Sequence, residues 1–534
     1  MPFSFPFPEP AWREPWRGFL ARRCAQRILI VTDAFGSFDP GSAIGLTELI
    51  RVLQGNAEVP MAMPTTITQA STASGFDFAR ASPPVTTAHY DQVWLFGFVS
   101  GAPGLSPAER KVLTRFMDAG GGVFATGDHS SIGQVLCGGL PRVRKMREWS
   151  AVPMSGPSRI DTVNHPGVDG IARDTDQADH FPQTTYPLLR GVGPGATPHP
   201  LLQSPHGAIN VLPDHPHESE CYAPRGADLD GNYTVPAQPG DPALSITEFP
   251  LLAGQRHGPE IVAIAMSASL NVDKGAVSPR CFGAISAYDG HLVQVGRVVC
   301  DATWHHFVNM NLNGAGYPGN GLREGMPLAP NAAYLQIQRY FANIADWLTP
   351  RTRRWCFLFD RLVLSIYSYP FLEEVLALPD LPRPLPPSPP WPLLVQVGAV
   401  IRDDLQHRQG QGAFNRFGDE LLLAMDLPTE MLLPLLHGGA GADQSPDQRR
   451  LPALDPADAQ ELRLGLVGGV LLRAWSSLPA DPAALAKRAE ALHKQGPKPY
   501  REGLVRDLRT AMEALRTRHE SQVKVLGGLA KVKL

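Results

Sequence analysis

Short apolar runs without helical spacing alternate with helically spaced stretches along the first part of the chain. Arg27-Ile28-Leu29-Ile30-Val31-Thr32-Asp33 is a β-branched run flanked by charge and then by Gly36, the pattern of a strand buried on both faces. Ser42 to Leu53 follows with helical spacing, and Asp91-Gln92-Val93-Trp94-Leu95-Phe96-Gly97 reads as a second strand. Ser106-Pro107-Ala108-Glu109 is a helix start: Ser as N-cap, Pro at the first helical position, Glu three residues after the cap. Val112, Leu113 and Phe116 form that helix's apolar stripe, Gly120-Gly121-Gly122 ends it, and Gly122 to Thr126 is the next strand. The alternation predicts an α/β domain, a parallel sheet with helices on both faces.

From Trp149 to about Gly258 the periodicity lapses into a stretch dense in Pro, Gly, Asp and His. That is long for a structureless connection, so the insertion is expected to be functional or to contain elements that the pattern does not reveal. Ile261 to Ala265 and Leu292 to Val299 resume the strand pattern, a Gly/Asn/Pro-rich loop spans Asn309 to Asn331, and Tyr334 to Leu348 reads as an amphipathic helix closing the domain. Pro379 to Pro392 holds eight prolines in fourteen residues, a semi-rigid spacer or exposed connection, with a Pro-x-x-Pro ligand as an alternative. Leu394 to Leu534 is Leu- and Ala-rich at helical spacing. The expected organisation is an extension over 1–26, an α/β domain over 27–350 with an insertion at about 150–258, a connection over 351–393, and a helical accessory domain over 394–534.

A chain of 534 residues with 43% hydrophobic and 19% charged residues has room for more than one core. The formal net charge of −3 supplies no global attraction to nucleic acid or to a membrane surface. From Asp481 to Leu534 there are 12 Lys/Arg against 6 Asp/Glu, which reads as a solvated basic helical face or a contact for an anionic partner. No run of about 18 uninterrupted apolar residues predicts a transmembrane helix. Met1 to Trp16 lacks the basic and apolar regions of a signal peptide. The six cysteines, at 24, 137, 221, 281, 300 and 356, form no Cys-x-x-Cys pair. In a chain this long they read as reduced and mostly buried, which favours a cytoplasmic setting.

Three motifs place imidazole beside carboxylate: Gly127-Asp128-His129, Asp214-His215-Pro216-His217-Glu218-Ser219-Glu220, and Asp301-Ala302-Thr303-Trp304-His305-His306. That pairing suits a divalent metal or an acid/base pair. The first and third follow strands, where open α/β sheets bind ligands. His215 and His217 can point to one side of an extended segment, with Pro216 limiting the backbone between them. His215, His217 and one of His129 or His305 are the expected ligands of a divalent metal, zinc by ligand type. Asp128 or Glu218 is the expected base on bound water, and Asp301 the carboxylate that orients a histidine. Adjacent histidines diverge in a strand, so one of His305 and His306 is expected to enter the site. Trp304 offers a flat apolar wall or a core ring. Asn309, Asn311 and Asn313 could hydrogen-bond substrate hydroxyls or satisfy loop backbone, and Arg142, Arg144 and Arg147 could hold an anionic group or pair with nearby acids. Ser130 and Ser131 read as capping residues rather than nucleophiles. Asp174, Asp176, Asp179 and His180 form an acidic loop without the glycine and glutamate of an EF-hand.

The runs Tyr90 to Leu95, Leu105 to Glu109 and Gly120 to His129, with Gly296-Arg297-Val298-Val299 leading to His305, resemble the ThuA-like (trehalose-utilisation) branch of the class I glutamine-amidotransferase-like fold. The resemblance covers about residues 27 to 348 and implies a flavodoxin-like sheet with a carbohydrate-related or hydrolytic role. The chain departs from the branch in its Gly-Asp-His turn, where Gly-hydrophobic-His is more usual. Amidotransferases carry a nucleophilic Cys at that turn, and here the zone of the turn has no Cys before Cys137, so glutamine hydrolysis through a thiolate is not supported. The expected function is a metal-dependent hydrolase acting on a polar small molecule such as a carbohydrate derivative. The alternatives are a non-catalytic scaffold whose helical C-terminal domain engages a protein partner, and a metal-free isomerase using His129 and Glu218.

Overall fold

A computed structural model describes residues 24–101, 104–129, 131–149, 183–190, 196–213, 219–252, 254–266, 280–313, 322–324, 329–366, 370–375, 389–410, 412–424 and 456–477, with shorter pieces among 165–173 and 491–520 and a few isolated residues. Asp214, His215, His217, Glu218, Ser130, the acidic loop at 174–180 and most of the Pro-rich spacer lie outside the described residues. The chain divides into two compact units, Ala25–Arg190 with Ala196–Arg351, and Met1–Cys24 with Gly191–Gly195 and Thr352–Leu534.

The first unit is built on one eight-stranded sheet. Its strands are β1 (Gln26–Thr32), β2 (Thr65–Ser71), β3 (Gln92–Phe96), β4 (Gly122–Thr126), β5 (Tyr186–Pro187), β6 (Glu260–Met266), β7 (Cys281–Tyr288) and β8 (Val298–Asp301). They lie in the order β2-β1-β3-β4-β8-β7-β6-β5. The first five are parallel, and β7, β6 and β5 add antiparallel strands beyond β8. The sheet is therefore α/β and mixed, where an entirely parallel sheet was expected.

Both faces are covered, which is why the parallel strands read as unbroken apolar runs. Ile28, Ile30, Trp94, Phe96 and Phe124 pack with Leu49 and Leu53 of α1 (Thr47–Leu53) and with Ile337 and Phe341 of the helix Ala332–Leu348. Leu29, Val31, Val93, Leu95 and Val123 face the other way, onto Leu113, Phe116 and Met117 of α2 (Pro107–Asp118). The start of α2 is the capping box that its sequence encodes, with Ser106 and Glu109 satisfying each other's backbone amides. Its Lys111 is buried because Nζ reaches Asp241 Oδ2 at 2.6 Å and the Pro242 carbonyl at 2.7 Å.

Two strands escape the apolar pattern. β2 (TTITQAS) is a polar edge strand, and β7 contains Gly283 and Ser286, so neither forms a β-branched run. The expected strand at Leu292 to Val299 begins instead as a 3-10 turn over Gly290–Val293, and pairing starts at Val298. The insertion is not structureless: Asn232–Val235 pairs antiparallel with Leu244–Thr247, and shorter ladders flank it.

The second unit contains the helices Trp391–Gln409, Ala413–Ala424 and Pro456–Ser477. Gly398 lets the first approach the third so closely that a Cβ there would overlap the Leu464 carbonyl. Cys24 and Cys356 form a disulfide in this unit, with Cα atoms 5.6 Å apart. This corrects the expectation that all six cysteines are reduced, and with it the argument for a cytoplasmic setting. A pairing across 332 residues of chain has no local sequence signal, because only the fold brings the two Cβ atoms together. Cys137, Cys221 and Cys300 are buried thiols and Cys281 an exposed one. Among the described residues no helix is long and apolar enough to cross a membrane.

Candidate functional site

The register levels four strand ends. Thr32 pairs with Phe96, Phe96 with Thr126, and Thr126 with Asp301. The residues that follow, Asp33, Gly97, Gly127 and Ala302, therefore leave the sheet side by side at its carboxyl edge, where α/β sheets place their ligands. The turn after β4 folds back over the turn after β3: Gly133 N donates to the Val99 carbonyl at 3.0 Å and Asp128 N to the Ile132 carbonyl at 3.1 Å. Glycine is required there, since a Cβ on Gly97 would overlap the Cα of Gly133.

Asp128 is the centre of this edge. It is buried, and its Oδ1 accepts from Thr303 Oγ1 at 2.9 Å. Its Oδ2 lies 3.6 Å from His129 Nε2 and 3.5 Å from His305 Nε2. Both distances exceed a formed hydrogen bond, as catalytic pairs often do before a ligand closes them. The His129 side chain is 44% exposed, the His305 side chain 12%. His129 has φ +41°, a left-handed conformation uncommon for a residue with a side chain. Asn311 Nδ2 donates to the His305 carbonyl at 3.1 Å and lies 3.3 Å from His305 Nδ1. An amide NH2 opposite Nδ1 makes that nitrogen the acceptor, so in the neutral ring the proton sits on Nε2, facing Asp128. Trp304 stacks on His305 with centroids 4.1 Å apart, and Phe98 packs on Trp304 at 5.0 Å.

Of the adjacent histidines, His305 faces Asp128 and His306 faces Asp301, with Nδ1 2.8 Å from Oδ1. Asp301 is fully buried and also accepts from Tyr340 OH at 2.8 Å and Thr303 N at 3.1 Å. Burial, then the Asp301 charge, holds the Tyr340 phenol well above its usual range. Asp301 thus supports Thr303, which in turn holds Asp128. Arg147 is fully buried beneath the two turns and donates to the Ala302 carbonyl at 2.9 and 3.0 Å and to the His129 carbonyl at 3.1 Å.

Other candidates have structural work elsewhere. Arg142 is fully buried, with Nη2 on Asp118 Oδ1 at 2.8 Å and Nε on the Glu248 carbonyl at 2.9 Å. Asn309 accepts from Glu48 N at 3.0 Å and donates to Thr47 Oγ1 at 2.9 Å, which ties the start of α1. Neither residue faces Asp128, and the reason is tertiary: the fold supplies each with a nearer partner than any substrate. Glu220 pairs with Arg280 at 2.8 Å, and Ser219 Oγ donates to the Ala302 carbonyl at 2.6 Å. A groove of about 530 Å³ borders edge strand β2, and none of the residues around Asp128 lines it.

Among the described residues, no group of three or more His, Cys, Asp and Glu side chains is arranged to hold a metal ion. The chain matches no family model, no curated protein and no solved structure.

The sequence reasoning missed Asp33, whose signal is a lone carboxylate ending a buried strand. Its side chain accepts from Phe98 N at 2.6 Å and Val99 N at 3.3 Å. Burial outweighs those amides and pushes its pKa from 3.8 up to about 6. Between those values the folded protein holds more proton at Asp33 than the unfolded chain, so this residue's contribution to stability falls as pH rises. Relative to Asp33→Asn, the wild type should lose roughly 2–3 kcal/mol between pH 4 and pH 7.5. Urea unfolding of both proteins across that window measures the difference; a constant difference would mean that Asp33 titrates as an ordinary carboxylate.

Proposed function

We propose that the chain is a hydrolase acting on a polar small molecule, a carbohydrate derivative being the leading class, at the carboxyl edge of β3, β4 and β8. The observation that carries this reading is the convergence of two motifs far apart in sequence on one carboxylate: His129 and His305 both lie within 3.6 Å of Asp128 Oδ2. A buried carboxylate between two imidazoles is a means of stabilising an imidazolium as it forms. His129, the more exposed ring, takes a proton from attacking water and returns it to the leaving group. Asp128 stabilises the charge on His129. His305, clamped between Trp304 and Asn311, holds the far side of that carboxylate, and Trp304 with Phe98 lines an apolar wall for a ring-shaped substrate.

The order of the five parallel strands, β2-β1-β3-β4-β8, is the 2-1-3-4-5 order of flavodoxin-like sheets and supports the ThuA-like resemblance. Zinc takes His and Asp donors, and Asp128, His129 and His305 are of that type. Their arrangement does not make a three-ligand group, so no step here is routed through a metal.

The test is a panel of p-nitrophenyl glycosides, esters and phosphates assayed with wild type and His129→Asn. Turnover that falls about 10²–10⁴-fold in the variant is expected. No turnover of any substrate by the wild type, or equal turnover by both proteins, would remove the reading.

A further inference from the structure

The buried acids of the sheet unit generally have a cationic partner. Asp91 pairs with Arg27, Glu248 with Arg144 and Glu220 with Arg280, and the half-buried Asp289 pairs with Arg297. Asp33 does not: its hydrogen bonds are the two amides of Phe98 and Val99, and among the described residues no Lys, Arg or His is paired with it. An ionised carboxylate has about four acceptor positions, so two remain after those amides are satisfied. The side chain also stands at a particular place. The chain leaves β1 for β2 on one side and continues to β3 on the other, so the strand order reverses between β1 and β3. Ligands of open α/β sheets bind at such a reversal. Two of the exposed large apolar residues belong to the turns that meet there: Phe35, two residues beyond Asp33, at 74% exposure, and Val99, whose amide donates to the carboxylate, at 41%.

We propose that Asp33 is a binding subsite for the ammonium group of a ligand whose apolar portion rests on Phe35 and Val99. The proposal rests on reading the carboxyl edge as the ligand face, but not on the hydrolytic chemistry at Asp128. The charge of the ligand replaces the counter-ion that other buried acids of this unit receive from arginine. The cation also competes with a proton for the same carboxylate. Among the described residues the titratable side chain that feels the Asp33 charge is the Cys137 thiol, held far above its usual value by burial and then by that charge, so it stays neutral throughout.

The probe is benzylammonium chloride, with neutral benzyl alcohol as its control, titrated into the full chain by calorimetry. Benzylammonium should bind saturably at pH 7.5 and benzyl alcohol should not. Binding should weaken about tenfold at pH 5, where roughly nine-tenths of a carboxyl with this pKa is protonated. Asp33→Asn should abolish it. Phe35→Ala changes an exposed side chain, leaves the core untouched, and should weaken binding about threefold. Equal binding of the two probes, equal binding by wild type and Asp33→Asn, or no binding by the wild type would overturn the proposal. Should Asp33→Asn fail to fold, the wild-type pH dependence and Phe35→Ala decide by the same criteria. Ligand binding without turnover on the p-nitrophenyl panel would reject the hydrolase reading alone, and turnover without binding would reject this subsite alone.

Discussion

Replacing Asp128 by Asn should lower turnover by about 10²–10⁴-fold while the protein remains folded. The amide keeps an oxygen for the Thr303 hydroxyl that Asp128 Oδ1 now accepts at 2.9 Å, so the local scaffold survives. What is lost is the negative charge beside His129 and His305. An imidazolium forming on His129 then lacks the Asp128 charge beside it, and the barrier to proton transfer rises. The stability cost should be small, because the amide is nearly isosteric; a change in Tm of about 1–2 °C corresponds to about 1 kcal/mol in a unit of this size. The measurement is kcat and KM beside thermal unfolding on the same preparations. Unchanged kcat with normal unfolding would place the chemistry elsewhere on the chain.

The largest expected effect on stability lies at Asp289. Its Oδ1 accepts from Arg297 Nε at 2.7 Å and its Oδ2 from Arg297 Nη2 at 3.0 Å. Arg297 is itself almost fully buried, stacks 4.6 Å from the Trp347 ring, and donates to the Trp347 carbonyl at 3.0 Å. Asp289→Ala leaves that guanidinium buried and without its carboxylate, at a cost of about 3–5 kcal/mol. Burial alone would push the Asp289 pKa up, but the charge and hydrogen bonds of Arg297, aided by His291 and His257, hold it well below the usual carboxylate range. The stability from this pair is thus present above the unfolded value of 3.8 and is lost as pH falls beneath it. Urea unfolding at neutral pH measures the loss. Adding Arg297→Met to the variant should recover much of it, since removing both charges leaves neither unpaired. A loss below about 1 kcal/mol in the single variant would mean that the pair is dispensable.

What the sequence determined by itself was whatever neighbouring residues decide. The runs at 27–33, 91–97 and 122–126 are strands because residues buried on both faces must be apolar, and β1, β3 and β4 carry that signature through Ile28–Val31, Val93–Phe96 and Val123–Ala125. The start of α2 is set by Ser106, Pro107 and Glu109 acting on backbone groups within one turn. The placement of Asp128 and Ala302 just after strands follows from the same patterns. Only the tertiary structure decided the rest. The antiparallel strands β5 and β7 have no unbroken β-branched run, so their existence depends on a partner strand. Arg142 and Asn309 were candidates for a ligand because their own neighbourhoods do not contain Asp118, Glu248 or the start of α1, which reach them from 24 to 262 residues away. The selection of His305 over His306 depended on which ring Asp301 and Tyr340 would occupy. Asp33 became distinctive only when the fold buried it against two amides and gave it no arginine. Charge pairing and burial are sums over residues distant in the chain, and no window of sequence contains those sums.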